Sequence, residues 1–193
     1  MFLVMDLKFF LTSSFLGVGL AMDASAVSMA NGLKDPKMKI NKVLLIAFMF
    51  AFFQALMPLI GYLVGHAVLE LIEPFIPWIA LLLLSFVGGK MLYEGMKNEG
   101  DEEVKSLIFQ ALIIQAIATS IDALSVGFTF AGYEIIEALV ACGLIALVTF
   151  SICILSVFIG QKFGDKLGNK AEILGGIILI AIGLEIFITG IFF

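Results

Sequence analysis

Two aspartates lie in stretches of the chain that are otherwise small and apolar. Asp23 is in "GLAMDASAVSMANG" and Asp122 is in "ATSIDALSVG". A carboxylate near the centre of a bilayer costs about 2.5–3.5 kcal/mol on insertion scales, so it persists where it faces a polar cavity, pairs with a partner or binds a cation. No basic residue is evident at the depth of either aspartate. This pattern favours cation binding.

Neutral oxygen donors accompany both aspartates. Gln115 and Thr119 precede Asp122 by seven and three residues, so a continuous helix would align all three in one polar stripe. Asn31 follows Asp23 by eight residues, which is about 80° round a helix. Ligands of this kind suit magnesium, calcium or manganese(II).

A further donor lies in the second apolar run, "FFQALMPLIG", where Gln54 precedes Pro58 by four residues. The proline removes the helical hydrogen bond to the Gln54 carbonyl, which frees an oxygen beside the side-chain amide. The predicted metal ligands are Asp23, Asp122, Gln54, Asn31, Thr119 and Ser120.

Lys90, Glu94 and Glu185 are further charged residues within apolar runs. Lys90 and Glu94 are four residues apart, so an ion pair on one helix surface accounts for both. Glu185 has no such partner; it could titrate, bind a proton or a cation, or simply share a polar face with Thr189. These three residues are the candidates for proton or accessory sites.

The composition indicates which elements position these side chains. The chain has 193 residues, is 62% hydrophobic with a mean hydropathy of +1.15, and is 14% charged, against about 25% in ordinary globular domains. A bilayer-spanning helix needs about 20 apolar residues. Six such runs lie at 8–32, 43–69, 75–96, 106–131, 135–161 and 171–192. The predicted fold is an all-α integral membrane protein with six transmembrane helices in a single membrane domain, 1–193.

The lysines predict the orientation. The chain has no arginine, and nine of its eleven basic residues lie in or beside alternate connections. Because lysines accumulate on the cytoplasmic side, we expect the first, third and fifth connections inside and both termini outside. The nine are Lys34, Lys37, Lys39, Lys42, Lys97, Lys105, Lys162, Lys166 and Lys170.

The chain also repeats itself at an offset of 99 residues, which is the separation of Asp23 and Asp122. Each half contains three predicted spans, so the second enters the membrane from the opposite side, as in many secondary transporters. The repeats run from about 8 to 97 and from about 105 to 193, joined by a lysine- and acid-rich cytoplasmic connection at about 97–105. Both aspartates are then expected near the midplane, where such transporters bind substrate. Glycines four apart, which allow close helix packing in lipid, recur at the same offset: Gly61 and Gly65, then Gly160 and Gly164, followed by Gly168.

Five segments together resemble the MntP-type manganese efflux pumps of the lysine-exporter superfamily, over essentially the whole length. They are "AMDASAVS", "QALMPLIG", "GGKMLYEG", "ATSIDALSVG" and "GNKAEILGG". The resemblance implies a prokaryotic inner-membrane exporter that moves Mn²⁺ out of the cytoplasm, with Asp23 and Asp122 as transport-site carboxylates. Gln54 stands where some members carry a carboxylate, so the charge of the site differs from theirs.

The interpretation is therefore a secondary exporter, not an enzyme, with Mn²⁺ as its transported substrate and no prosthetic group. Its expected partners are the metal ion and membrane lipid, without nucleic acid or nucleotide, since no GxxxxGK[ST] motif is present; the oligomeric state stays open. Export of another divalent metal or a basic amino acid is the alternative. An intramembrane aspartyl protease is a remote one, because Asp122 follows "TSI" and not the GxGD-type pattern of those enzymes.

Overall fold

The computed structural model describes residues 7–64, 75–97, 104–130, 132–167 and 170–192. Within these ranges the regular elements are helices, and no strand occurs. They are α1 Leu7–Lys34, α2 Ile40–Val64, α3 Ile76–Lys97, α4 Val104–Ala118, α5 Ala123–Thr129, α6 Ile135–Leu167 and α7 Lys170–Phe192. The predicted all-helical fold is confirmed for this part of the chain.

Three of these helices are long and apolar enough to cross a bilayer: Leu7–Lys34, Ile40–Val64 and the stretch Ile135–Gly164 of α6. The other three apolar stretches, Pro77–Lys90, Phe109–Ala118 and Ile173–Thr189, are shorter. The chain is thus built as a multi-pass membrane protein, whereas six complete spans in two inverted repeats stay a prediction. Most of the predicted connection at 97–105 lies outside the described residues, as does the end of the predicted second span.

The single helix predicted over 106–131 is wrong, because the chain leaves helical geometry between Ala118 and Ala123. Thr119 Oγ1 donates to the Gln115 carbonyl at 3.0 Å, and the Ser120 amide bonds three residues back to the Ile117 carbonyl. Hydroxyl and carboxylate side chains compete with the helical backbone bonds in this way. The polar stripe expected on a continuous helix is therefore interrupted here.

In contrast, α1 continues unbroken through Asp23. Its local sequence is "LAMDASAV", in which Ala21, Met22 and Ala24 are good helix formers around the carboxylate. The corresponding "TSIDALSV" has hydroxyl and β-branched residues before Asp122, which favour caps and turns over helix interiors. The two aspartates therefore occupy different local structures.

Glycines mark the closest helix crossings. A methyl group at Gly61 on α2 would overlap the Leu124 carbonyl oxygen of α5, and one at Gly160 on α6 would overlap the Met29 carbonyl oxygen of α1. Only a residue without a side chain allows backbones to approach this closely. Gly164 likewise packs against Leu33 near the end of α1 and against Pro36, which follows that helix. Gly65 and Gly168 lie outside the described residues.

The buried apolar side chains form two separate clusters. The larger contains Ala24, Val27 and Phe50, and the smaller contains Leu20 and Phe130. Along each of α1, α2, α4–α5 and α6, members of one cluster give way to members of the other. Polar residues stand at these four transitions, and we call them the polar layer: Asp23, Gln54, Thr119, Ser120, Asp122 and Thr149.

Candidate functional site

The polar layer is held together by the side chain of Gln54. Gln54 is fully buried on α2, and its Nε2 donates a 2.9 Å hydrogen bond to the Leu20 carbonyl of α1. Its Oε1 accepts a 2.7 Å bond from Ser120 Oγ, in the interruption between α4 and α5. One amide therefore links the helix that carries Asp23 to the segment that carries Asp122.

A second amide contact joins the same two parts of the molecule. Asn31 Nδ2 on α1 donates to Gln115 Oε1 on α4 at 2.8 Å. Asn31 lies about two helical turns beyond Asp23 and Gln115 lies before the interruption. This contact therefore lies on the side of the polar layer that faces the connection between α1 and α2.

Aromatic residues gather on the other side of the polar layer. The rings of Phe130 and Tyr133 stack with centroids 5.2 Å apart, and Phe9 near the start of α1 lies 5.6 Å from Tyr133. Tyr62 on α2 donates its hydroxyl to the Tyr133 carbonyl at 3.0 Å. The two sides of the layer thus differ: one is joined by neutral amides and the other by aromatic rings.

Asp122 directly precedes α5, and its Oδ1 accepts the N–H of Ala123, the first residue of that helix, at 2.9 Å. The Asp122 side chain is exposed, and Asp23 on α1 is half-buried. The two carboxylates lie within electrostatic range of each other, and Glu185 on α7 lies within electrostatic range of Asp23. Two acids that are 99 residues apart in the sequence are therefore close to each other in the fold, and Glu185 is close to one of them, Asp23.

Neither aspartate has a lysine partner among the described residues, although Asp35 and Lys42 form a 2.8 Å ion pair at the connection between α1 and α2. Like charges at close range in a medium of low dielectric repel, so a cation stabilises them. Within the same residues no three His, Cys, Asp or Glu side chains converge as a metal-binding group. A cation here would take ligands from two carboxylates, neutral oxygens and water.

The neutral residues predicted as ligands are already engaged in hydrogen bonds. Both ends of the Gln54 amide are bonded, and the Asn31 amide nitrogen is bonded to Gln115. Thr119 Oγ1 donates to its own helix, and Ser120 Oγ donates to Gln54. The oxygens retain lone pairs with which to bind a cation, but the hydrogen bonds of these residues already join α1, α2 and the α4 segment.

The three charged residues predicted as proton or accessory sites lie outside the polar layer. Glu185 is exposed on α7 beside the site. Lys90 is partly buried on α3, and the Glu94 side chain lies outside the described part of the structure, so the ion pair between them stays a prediction.

Two groups, one next to the polar layer and one within it, were not predicted from the sequence. The Leu20 carbonyl gave no signal, because any residue supplies one. Thr149 on α6 is fully buried, and its hydroxyl has no hydrogen-bond partner among the described residues. A polar residue in the middle of the predicted fifth span could have drawn attention to it, since buried hydroxyls are normally bonded.

Comparison with known proteins places this arrangement in a family context. Residues 37–187 match the model of a family described as "Putative manganese efflux pump". Curated proteins with the name "Putative manganese efflux pump MntP" match over nearly their whole length. The one from Ruminiclostridium cellulolyticum is 43% identical over 92% of this chain and 95% of its own. Those from Gloeothece citriformis and Methanosarcina mazei are 47% and 45% identical, over 91% and 92% of this chain and 93% and 95% of theirs.

No solved structure matches the chain. The family is one of membrane transporters and not of enzymes. With one family model covering more than half of its residues and relatives aligned along most of its length, the chain belongs to the manganese efflux pump family.

Proposed function

We propose that this protein exports divalent metal ions, above all Mn²⁺, from the cytoplasm through a site that includes Asp23 and Asp122. The observation that carries the proposal is the polar layer between two apolar clusters, in which a carboxylate on α1 and one in the interruption between α4 and α5 lie within electrostatic range. The names of the relatives support manganese as the substrate.

The chemistry of the layer suits a hard cation. Carboxylate, hydroxyl and carbonyl oxygens are the ligands that Mn²⁺, Mg²⁺ and Ca²⁺ prefer, and thiolate or imidazole ligands would favour softer ions. The two carboxylates would replace part of the hydration shell of Mn²⁺ and balance its charge. Hydroxyls and water would complete the coordination, because the described residues supply no third carboxylate, imidazole or thiolate at one point.

Release of the ion would leave two like charges close together. Protonation of a vacated carboxylate removes that repulsion, so exchange of the metal for protons is the coupling that this arrangement favours. Glu185 is near enough to Asp23 to take part as an accessory acid. In this mechanism the two aspartates bind either the metal or protons during a cycle, and Glu185 acts as an accessory proton acceptor.

Alternating access would open the layer to one side at a time. The Asn31–Gln115 contact lies towards the lysine-rich connection between α1 and α2, which the lysine distribution predicts to be cytoplasmic. Separation of this neutral amide pair would admit the ion from the cytoplasm, and movement of the Phe9, Phe130 and Tyr133 aromatic group would release it outside.

The direct test uses bacterial cells that lack their own manganese exporter. Expression of the wild type should restore growth in excess MnCl₂ and lower cellular Mn, whereas Asp23→Asn and Asp122→Asn should not, although both variants reach the membrane. If both variants export like the wild type, the site is wrong. If cellular zinc or cadmium falls while manganese does not, or if lysine is exported instead, the substrate is wrong.

A further inference from the structure

We propose that Gln54 is a positioning residue: its amide fixes the Asp122 segment against the Asp23 helix, and it does not bind the metal itself. This inference rests on the proposed metal site, because the positioned groups are the two aspartates. It revises the sequence-based prediction of Gln54 as a ligand.

The geometry of the Gln54 side-chain amide supports a positioning role. An amide has one acceptor oxygen and one donor nitrogen, and Gln54 uses each for a partner on a different segment. The oxygen, which is the only atom able to bind a cation, accepts the 2.7 Å bond from Ser120 Oγ. Binding a metal through that oxygen would weaken the bond that orders Ser120.

The two hydrogen-bond partners of Gln54 each lie close to an aspartate along the chain. Leu20 precedes Asp23 by three residues, which is close to one helical turn, and Ser120 precedes Asp122 by two. Each bond from Gln54 therefore fixes the backbone next to one aspartate.

The segment that carries Asp122 depends on tertiary contacts for its order. The chain is not helical between Ala118 and Ala123, and α5 is only seven residues long. Short helices depend on tertiary contacts for their stability. Both Ser120 and Gln54 are fully buried, so loss of the bond between them would leave polar groups unpaired away from water.

The first experiment needs no metal. Amide hydrogen exchange is measured by mass spectrometry on the purified full-length protein, comparing the wild type with Gln54→Met, which keeps the approximate volume but has no amide. We expect exchange across 119–124 to become at least fivefold faster. Ser151→Ala is the matched control, because the Ser151 hydroxyl is exposed and bonds the Leu147 carbonyl of its own helix. Unchanged exchange in Gln54→Met would overturn the inference.

The second experiment measures the Kd for Mn²⁺ of the folded variants by titration calorimetry. We expect Gln54→Met to bind about tenfold more weakly, which corresponds to about 1.4 kcal/mol, and Ser120→Ala to bind several-fold more weakly. Ser120→Thr keeps the hydroxyl and should recover part of the binding that Ser120→Ala loses, and Ser151→Ala should bind as the wild type does. The double variant should be no weaker than Gln54→Met alone, because both changes remove the same bond.

Independent ligands would give a different pattern. If Gln54 and Ser120 each bound the ion, their effects would multiply to more than thirtyfold in the double variant, and that result would overturn the positioning role.

Asp23→Asn is included in the same series to separate the two proposals. If it binds Mn²⁺ as tightly as the wild type, the proposed function fails, and the metal-free exchange measurement still decides whether Gln54 orders the segment. If it loses binding while the Gln54 and Ser120 effects multiply, the positioning role alone fails.

Discussion

Asn31 Nδ2 donates a 2.8 Å hydrogen bond to Gln115 Oε1, and this bond joins α1 to α4 between the polar layer and the connection that follows α1. The pair is neutral and only partly buried. A single bond of this type contributes about 0.5–1.5 kcal/mol net. It can therefore hold a closed arrangement and still break within a transport cycle, which a buried ion pair would do far less readily.

Tethering this pair should stop transport. In the double variant Asn31→Cys with Gln115→Cys, a short bifunctional thiol reagent should lower Mn efflux to near background, because α1 and α4 could no longer separate. A reductant that cleaves the tether should restore efflux. Tracer efflux from inverted vesicles measures both effects.

Each single cysteine variant is the control for the tether. The natural cysteines, Cys142 and Cys153, are both buried, so little reaction with them is expected. Inhibition of a single variant to the same degree, or full efflux by the tethered double variant, would show that the two helices need not separate here.

Asp122 serves the fold and the proposed site through different properties of its side chain. Its Oδ1 accepts the Ala123 N–H at the start of α5; asparagine has the same acceptor oxygen and alanine has none. Asp122→Asn should therefore lose Mn²⁺ binding at unchanged thermal stability, while Asp122→Ala should lose Mn²⁺ binding and also unfold at a lower temperature. Calorimetry and a thermal shift assay separate the two effects, and equal destabilisation by both variants would contradict the structural role of this bond.

The local sequence predicted the helical elements well, because long apolar runs have few alternatives in a membrane. It failed between Ala118 and Ala123, where the apolar run continues on both sides and only Thr119, Ser120 and Asp122 signal a change. A scale of hydrophobicity reports burial in lipid but says nothing about which backbone groups a side chain will bond.

The candidate site could be drawn from the sequence only in part. Aspartates in apolar runs stand out because their burial is costly, so Asp23 and Asp122 are candidates from the sequence alone. The hydrogen bonds of Gln54 and Asn31 could not be predicted, because an amide is both donor and acceptor and the partners lie 34 and 84 residues away in the chain. The proposal that Gln54 positions the segment and does not bind the metal therefore depends on the tertiary contacts.

Close glycine crossings should tolerate no side chain. Gly61→Ala and Gly160→Ala each place a methyl group on a carbonyl oxygen of the neighbouring helix, and overpacking of this kind costs about 1–3 kcal/mol. Gly143→Ala on α6 is the matched control, because nothing lies within 4 Å of the added methyl. Thermal unfolding in detergent should show lower midpoints for the first two variants only. A midpoint equal to the wild type at Gly61 would mean that α2 and α5 pack less closely than described.

Thr149 should show a conflict between stability and transport. Its buried hydroxyl has no partner among the described residues, and leaving such a group unpaired costs about 1–3 kcal/mol. Thr149→Val, which is nearly isosteric, should raise the unfolding midpoint. If the hydroxyl serves the passing ion or its water, efflux should fall several-fold in the same variant. A variant that is more stable and fully active would assign Thr149 to packing alone.

The orientation that the lysines predict can be measured directly. Lys37, in the connection after α1, and Glu134, just before α6, are both exposed. If the first connection is cytoplasmic, Lys37→Cys should react with a membrane-impermeant maleimide only in inverted vesicles, and Glu134→Cys only in intact cells or spheroplasts. The reasoning is that Lys34, Lys37, Lys39 and Lys42 cluster at one connection, and such clusters resist translocation. Labelling in the opposite sense would reverse the transport direction assigned to the Asn31–Gln115 contact, because that contact would then face the outside.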